Sequence, residues 1–102
     1  MKSKMIVKDW KRRCLEVDKP ISQVFKTAGV SPSVSSQWGR SNSECPEADI
    51  VDYLERNGTP FNLIANAVES VENYPNRNRI FLTYIKVERT LRDLETRRAL
   101  AE

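Results

Sequence analysis

The sequence predicts an all-α fold, in which a compact five-helix bundle is followed by a long C-terminal helix. Apolar residues recur at helical spacing along most of the chain, and no segment shows a sustained period of two. The breaks between the periodic segments contain proline, glycine, serine or asparagine. At 102 residues the chain is long enough for one core and an appended element, and we expect a domain over 1–75 and a C-terminal helix over 76–102.

The first three helices are expected over residues 4–17, 20–28 and 32–39. Proline suits the first turn of a helix, as Pro20 and Pro32 do for the second and third. The apolar face of the first helix consists of Met5, Ile6, Trp10, Cys14 and Val17. These spacings predict three short helices joined by tight turns.

The fourth helix is expected to begin at Pro46 and to end at Asn57-Gly58, residues that accept a left-handed C-terminal conformation. A fifth follows over about 60–72, and a long helix covers 77–101. The apolar residues of the fifth helix are Phe61, Ile64, Ala65, Val68 and Val71.

The last helix carries apolar residues at the spacing of a short coiled-coil seam. They are Ile80, Tyr84, Val87, Leu91 and Leu94. We interpret the first half of this helix as packing on the bundle and the second half, from Val87 onward, as available to a partner helix. The expected dimerisation residues are Tyr84, Val87, Leu91 and Leu94. The alternative is a helix that folds wholly back onto its own core.

The net charge of +3 conceals a strong segregation of charge along the chain. Residues 1–43 carry nine lysines and arginines against three acids, whereas residues 44–76 carry one base against seven acids. Residues 77–102 are again basic. A positive N-terminal block suits contacts with nucleic-acid phosphates, although a solvated basic face would have the same composition.

The composition argues against catalysis and metal binding. The chain has no histidine, the commonest general base, and three glycines form no phosphate-binding loop. Cys14 and Cys45 match no familiar zinc-ligand spacing and predict reduced, core-filling thiols. We therefore expect no enzyme, cofactor, metal or small-molecule substrate. No apolar run approaches the roughly 20 residues of a membrane span, so we expect a cytoplasmic protein without a membrane partner.

Residues 21–40 predict a helix-turn-helix. Gly29 falls where a left-handed turn residue lets two helices cross steeply, and Ser31-Pro32 provides an N-cap and a first-turn proline. Such a turn holds the second helix out from the body, where it can enter a DNA major groove.

The matching residues Val24, Ala28, Gly29, Val30 and Trp38, followed by a polar loop and a helix, resemble the lambda-repressor-like helix-turn-helix family, which includes Cro-like and CII-like phage regulators. The resemblance covers about residues 20–72 and implies a compact bundle that binds operator DNA, usually as a dimer. The sequence differs from the family pattern at two positions: Phe25 stands where the family usually has a small residue, and Ser35 stands where it has a buried aliphatic residue. We expect a sequence-specific transcriptional regulator of phage or bacterial type that binds a pseudo-palindromic operator in double-stranded DNA as a homodimer.

The third helix would then read the DNA bases. The base-reading residues are expected to be Ser31, Pro32, Ser33, Ser36 and Gln37. Gln37 is the one among them that can make a bidentate contact with adenine. The phosphate contacts are expected to come from Ser22, Gln23, Lys26, Arg40, Ser41 and Asn42.

A second function remains open at this point. The acidic helices over 46–72 could hold a basic partner, as in a protein-interaction module of the antitoxin or antirepressor type. Glu47, Asp49, Asp52 and Glu55 would form that surface.

Overall fold

In a computed structural model, residues 1–40, 42–70 and 79–101 are described, and they form six α-helices and no β-strand. The helices are α1 (Ser3–Val17), α2 (Ile21–Thr27), α3 (Pro32–Arg40), α4 (Pro46–Arg56), α5 (Phe61–Glu69) and α6 (Arg79–Ala101). The predicted all-α class is confirmed. Of the sequence predictions, Ser41, Val71 and the start of the last helix at 77–78 lie outside the described residues.

Helix α6 is part of the core. It contacts α1, α2, α4 and α5. Ile85 is completely buried in this packing, and the apolar residues Ile80, Phe81 and Leu82 lie half-buried against the same core. The first half of α6 thus packs on the bundle as the sequence predicts.

The residues expected to form a seam with a partner helix require a correction. Val87 and Leu91 are 0 % exposed and Tyr84 is 8 % exposed, all within the single chain. Leu94 is half-buried against the same core. A side chain that is buried in its own core is not free to contact a partner, so the alternative, in which the helix folds back, describes Tyr84, Val87 and Leu91.

Four aromatic side chains join four helices at the centre of the bundle. The Trp10 ring of α1 stacks on Trp38 of α3, with 5.1 Å between ring centroids, and lies 6.1 Å from the Tyr84 ring of α6. Phe25 of α2 meets Trp10 edge-on at 5.8 Å. Aromatic pairs at these separations contribute about 0.5–1.5 kcal/mol each beyond their buried area. Trp10 therefore fixes α3 relative to the rest of the bundle.

Both cysteines fill core positions. Cys14 and Cys45 are buried free thiols, and burial raises the pKa of each. The described residues contain no cluster of side chains that could hold a metal ion. Nor do they include a helix with the length and apolar character needed to cross a membrane.

Candidate nucleic-acid interface

The turn between α2 and α3 depends on a left-handed glycine. Gly29 has a φ of +81°, a conformation that side-chain-bearing residues rarely adopt. The Val30 N–H donates to the Phe25 carbonyl oxygen at 3.0 Å, and the Gly29 N–H donates to that of Lys26 at 3.1 Å. These bonds satisfy carbonyl groups at the end of α2 and allow the chain to change direction.

The inward face of α3 is set by Val34 and Trp38, which are one turn apart. Trp38 is buried against Trp10, and Val34 is half-buried against the core. Ser35 is half-buried, and its hydroxyl donates to the Pro32 carbonyl oxygen at 3.0 Å. The serine therefore satisfies its hydroxyl within α3.

The opposite face of α3 is open to solvent. All five residues predicted to read bases are exposed, namely Ser31, Pro32, Ser33, Ser36 and Gln37. The hydroxyl oxygens of Ser31 and Ser33 lie 3.3 Å apart. Gln37 also borders a shallow hollow with Thr83, so it lies at the side of this face nearest α6. The structure thus places four of the five residues on the exposed side of α3, and Ser31 immediately before the helix.

Arg40 shares the face of Ser36. Its guanidinium donates to the Ser36 hydroxyl oxygen at 2.7 Å and to the Ser36 carbonyl oxygen at 3.4 Å. The sequence predicts Arg40 as a phosphate contact just beyond the helix, whereas the side chain lies back along α3. This position puts a planar, five-donor cation among the predicted readers.

The other predicted phosphate contacts flank α3 along the chain. Ser22, Gln23 and Lys26 are exposed on α2, and Asn42 is exposed after α3. Within the described residues Lys26 forms no ion pair, which leaves its charge available. Ser41 lies outside the described residues.

A buried ionic cluster is the feature that sequence reasoning missed. Glu88 of α6 is 4 % exposed, and its carboxylate accepts hydrogen bonds from Trp10 Nε1 at 2.8 Å and from Arg13 at 2.7 Å. Arg92 also donates to Glu88, at 2.8 Å, and binds Glu55 of α4 through two nitrogens at 2.6 and 3.0 Å. The cluster ties α1, α4 and α6 together.

Electrostatics keep the central carboxylate ionised. Burial by itself would raise the pKa of Glu88, but the charge of Arg13 and the hydrogen bonds from Arg13, Arg92 and Trp10 outweigh it and lower the pKa. Burial likewise disfavours the charged forms of Arg13 and Arg92 and by itself would lower their pKa values. Their carboxylate partners outweigh burial and raise both pKa values. The carboxylate of Glu88 thus accepts hydrogen bonds from three side chains that hold α1 and α6 together.

The sequence contained a signal for this cluster. Glu88 lies four residues after Tyr84 and three before Leu91, which is the spacing of the buried face of α6. Arg13 similarly follows Trp10 by three residues. Charged residues at apolar positions of two helices indicate a buried pair.

No protein-family model matches this chain, and neither a curated protein nor a solved structure matches it.

Proposed function

We propose that this protein is a sequence-specific transcriptional regulator that binds double-stranded DNA with α3 in the major groove. The observation that supports this proposal most directly is the contrast between the two faces of α3. Trp38 anchors one face on Trp10, while the predicted base-reading residues outside that face are exposed, namely Ser31, Pro32, Ser33, Ser36 and Gln37. A helix that is rigidly held and exposed along its polar side fits recognition of base edges.

Two side chains supply most of the direct reading. Gln37 offers a donor and an acceptor that match adenine, and Arg40 offers two donors that match guanine N7 and O6. The serines add short, adaptable hydrogen bonds. With few strong readers, recognition also depends on phosphate contacts and on DNA shape.

The distribution of charge supports the same ligand. Lys26 on α2 and Arg40 on α3 are exposed, and residues 1–43 are strongly basic. The acidic block over 44–76 begins only after α3. Positive potential near the proposed reading helix attracts the duplex and makes its affinity depend on salt.

The test begins with selection of bound fragments from random duplex DNA, followed by affinity measurements on the selected site. Gln37→Ala with Arg40→Ala should weaken binding to that site by about tenfold or more per lost bidentate contact. Asn62→Ala with Arg56→Ala is the matched control, because it removes an exposed side-chain amide and an exposed arginine from α5 and α4, away from α3 and from the predicted phosphate contacts. Full operator binding by the α3 variant would refute base reading by this helix.

A second candidate function has its own observation. On α4, Ile50 is 55 % exposed and Tyr53 is 65 % exposed, and the exposed acids Asp49 and Asp52 flank them. An apolar pair among carboxylates fits a basic protein partner, as an antitoxin or antirepressor would bind. The DNA selection separates the two functions, because this second function predicts neither sequence enrichment nor salt-dependent DNA binding.

The dimer remains a prediction that does not depend on the core residues of α6. Two copies would present their α3 helices to half-sites about one helical turn apart and select a pseudo-palindromic sequence. The mass of the protein in solution and the symmetry of the selected sites test it. A single asymmetric site bound by a monomer would contradict it.

A further inference from the structure

We propose that Lys4, Lys8 and Lys11 form a row along α1 that binds the phosphates of duplex DNA beside the groove that α3 enters. We call these three residues the α1 lysine row. The inference rests on the proposed DNA-binding function and adds to it a second contact on another helix.

The packing of α1 indicates which way the row faces. Among the described helices α1 contacts α2, α3 and α6. Its Arg13 edge faces α6, since Arg13 binds Glu88 and Glu95. Val7 and Cys14 lie on the other side of Trp10 around the helix and are also buried. Since α6 lies on the Arg13 side, we infer that α2 and α3, together with the segment 43–45 that is hydrogen-bonded to the start of α1, cover this side.

Helix geometry then places the row at the edge of α1 next to α2 and α3. At about 100° per residue, all three lysines follow Val7 and Cys14 around the helix, away from Arg13. Lys4, Lys8 and Lys11 are exposed. The Trp10–Trp38 stack holds α1 directly against α3, so the row lies beside the helix proposed to read DNA.

The basic residues of α1 divide into paired and unpaired ones. Arg12 binds Asp9 at 2.7 Å and lies 3.7 Å from Glu16, and Arg13 binds Glu88 and Glu95. Among the described residues, by contrast, the lysines of the row form no ion pair. The acids of α1 are therefore matched to its arginines, and the lysines are left with free charge.

Free like charges one turn apart do not stabilise the helix that carries them. Lysines at i and i+4 repel each other by a few tenths of a kcal/mol. A polyanion offsets this repulsion because it attracts every lysine of the row. Duplex DNA is such a polyanion, with one charge per about 1.7 Å of its axis. From Lys4 to Lys11 the row extends about 10 Å, enough to meet several phosphates.

Salt titration of DNA binding tests the row. Lys8→Gln with Lys11→Gln should reduce the slope of log affinity against log salt by about two, because each phosphate contact contributes about 0.9. The loss of affinity should be similar for the selected site and for unrelated duplex, since phosphates carry no sequence information. Both side chains are exposed and unpaired, so thermal unfolding should change little.

Arg56→Gln with Arg97→Gln is the matched control, because it removes two exposed cations from α4 and α6. Its slope should stay at the wild-type value. If the slope falls equally in both variants, or is unchanged in the lysine variant, the proposal that the α1 lysine row binds phosphates is wrong, while DNA binding by α3 is unaffected. Absence of any salt-dependent binding by the wild type instead overturns the proposed function on which the row depends.

Discussion

The indole N–H of Trp10 donates to the carboxylate of Glu88 at 2.8 Å, across 78 residues of sequence and in the buried interior. The same indole ring stacks on Trp38. Trp10 thus donates a hydrogen bond to a buried carboxylate and also packs against α3, the helix proposed to read DNA. Changes to the ionic cluster should therefore affect both stability and the position of α3.

Glu88→Gln is expected to destabilise the protein by about 3–5 kcal/mol. The amide keeps the shape of the carboxylate but leaves Arg13 and Arg92 without its charge in a buried setting, where breaking a pair is costly. Urea unfolding followed by circular dichroism measures the loss. Glu95→Gln is the control, because Glu95 is 33 % exposed and its loss should cost about 1 kcal/mol or less. Equal stability of the two variants would contradict a central role for Glu88.

The pH dependence of the free energy of unfolding should reflect the lowered pKa of Glu88. Because folding lowers the pKa of Glu88, the unfolded chain binds its proton more readily. The stabilisation is therefore complete above the ordinary glutamate value of 4.5 and is lost as the pH falls through the lowered pKa of the folded state. Wild-type stability should fall on acidification below about pH 5 more steeply than that of Glu88→Gln. Parallel pH profiles from urea unfolding would argue against this linkage.

The sequence predicted the helices well but could not predict what covers them. An apolar face at spacings of three and four is the same whether it packs in its own bundle or against a second copy. For this reason Val87 and Leu91 fitted a dimer seam in the sequence and lie in the core in the structure. Exposure of the polar side of α3 could be predicted, because Trp38 fixes the rotation of the helix. The hydrogen bonds from Arg40 to Ser36 depend on a side-chain conformation that the sequence does not specify.

Leu91→Ala tests the corrected position of the α6 seam. Leu91 is fully buried in the single chain, so truncation should leave a cavity and cost about 2–5 kcal/mol. The loss should be the same at every protein concentration, because stabilisation through a dimer interface would vary with concentration. Thermal unfolding over a hundredfold range of concentration measures it. A destabilisation that increases with protein concentration, or a change from dimer to monomer, would instead support the predicted dimer seam.

Two glycines in the α2–α3 region should respond to alanine in opposite directions. Gly29 has a φ of +81° and nothing within 4 Å of an added Cβ, so Gly29→Ala should cost about 1–2 kcal/mol through backbone strain alone. Gly39 lies within α3 and also has open space around an added Cβ, so Gly39→Ala should stabilise the protein by about 0.5–1 kcal/mol. Because neither methyl group meets a neighbour, the pair separates backbone conformation from packing. Urea unfolding of both variants measures the two changes in the free energy of unfolding. Stabilisation by Gly29→Ala would contradict a requirement for the left-handed turn, and destabilisation by Gly39→Ala would contradict the open space around that position in α3.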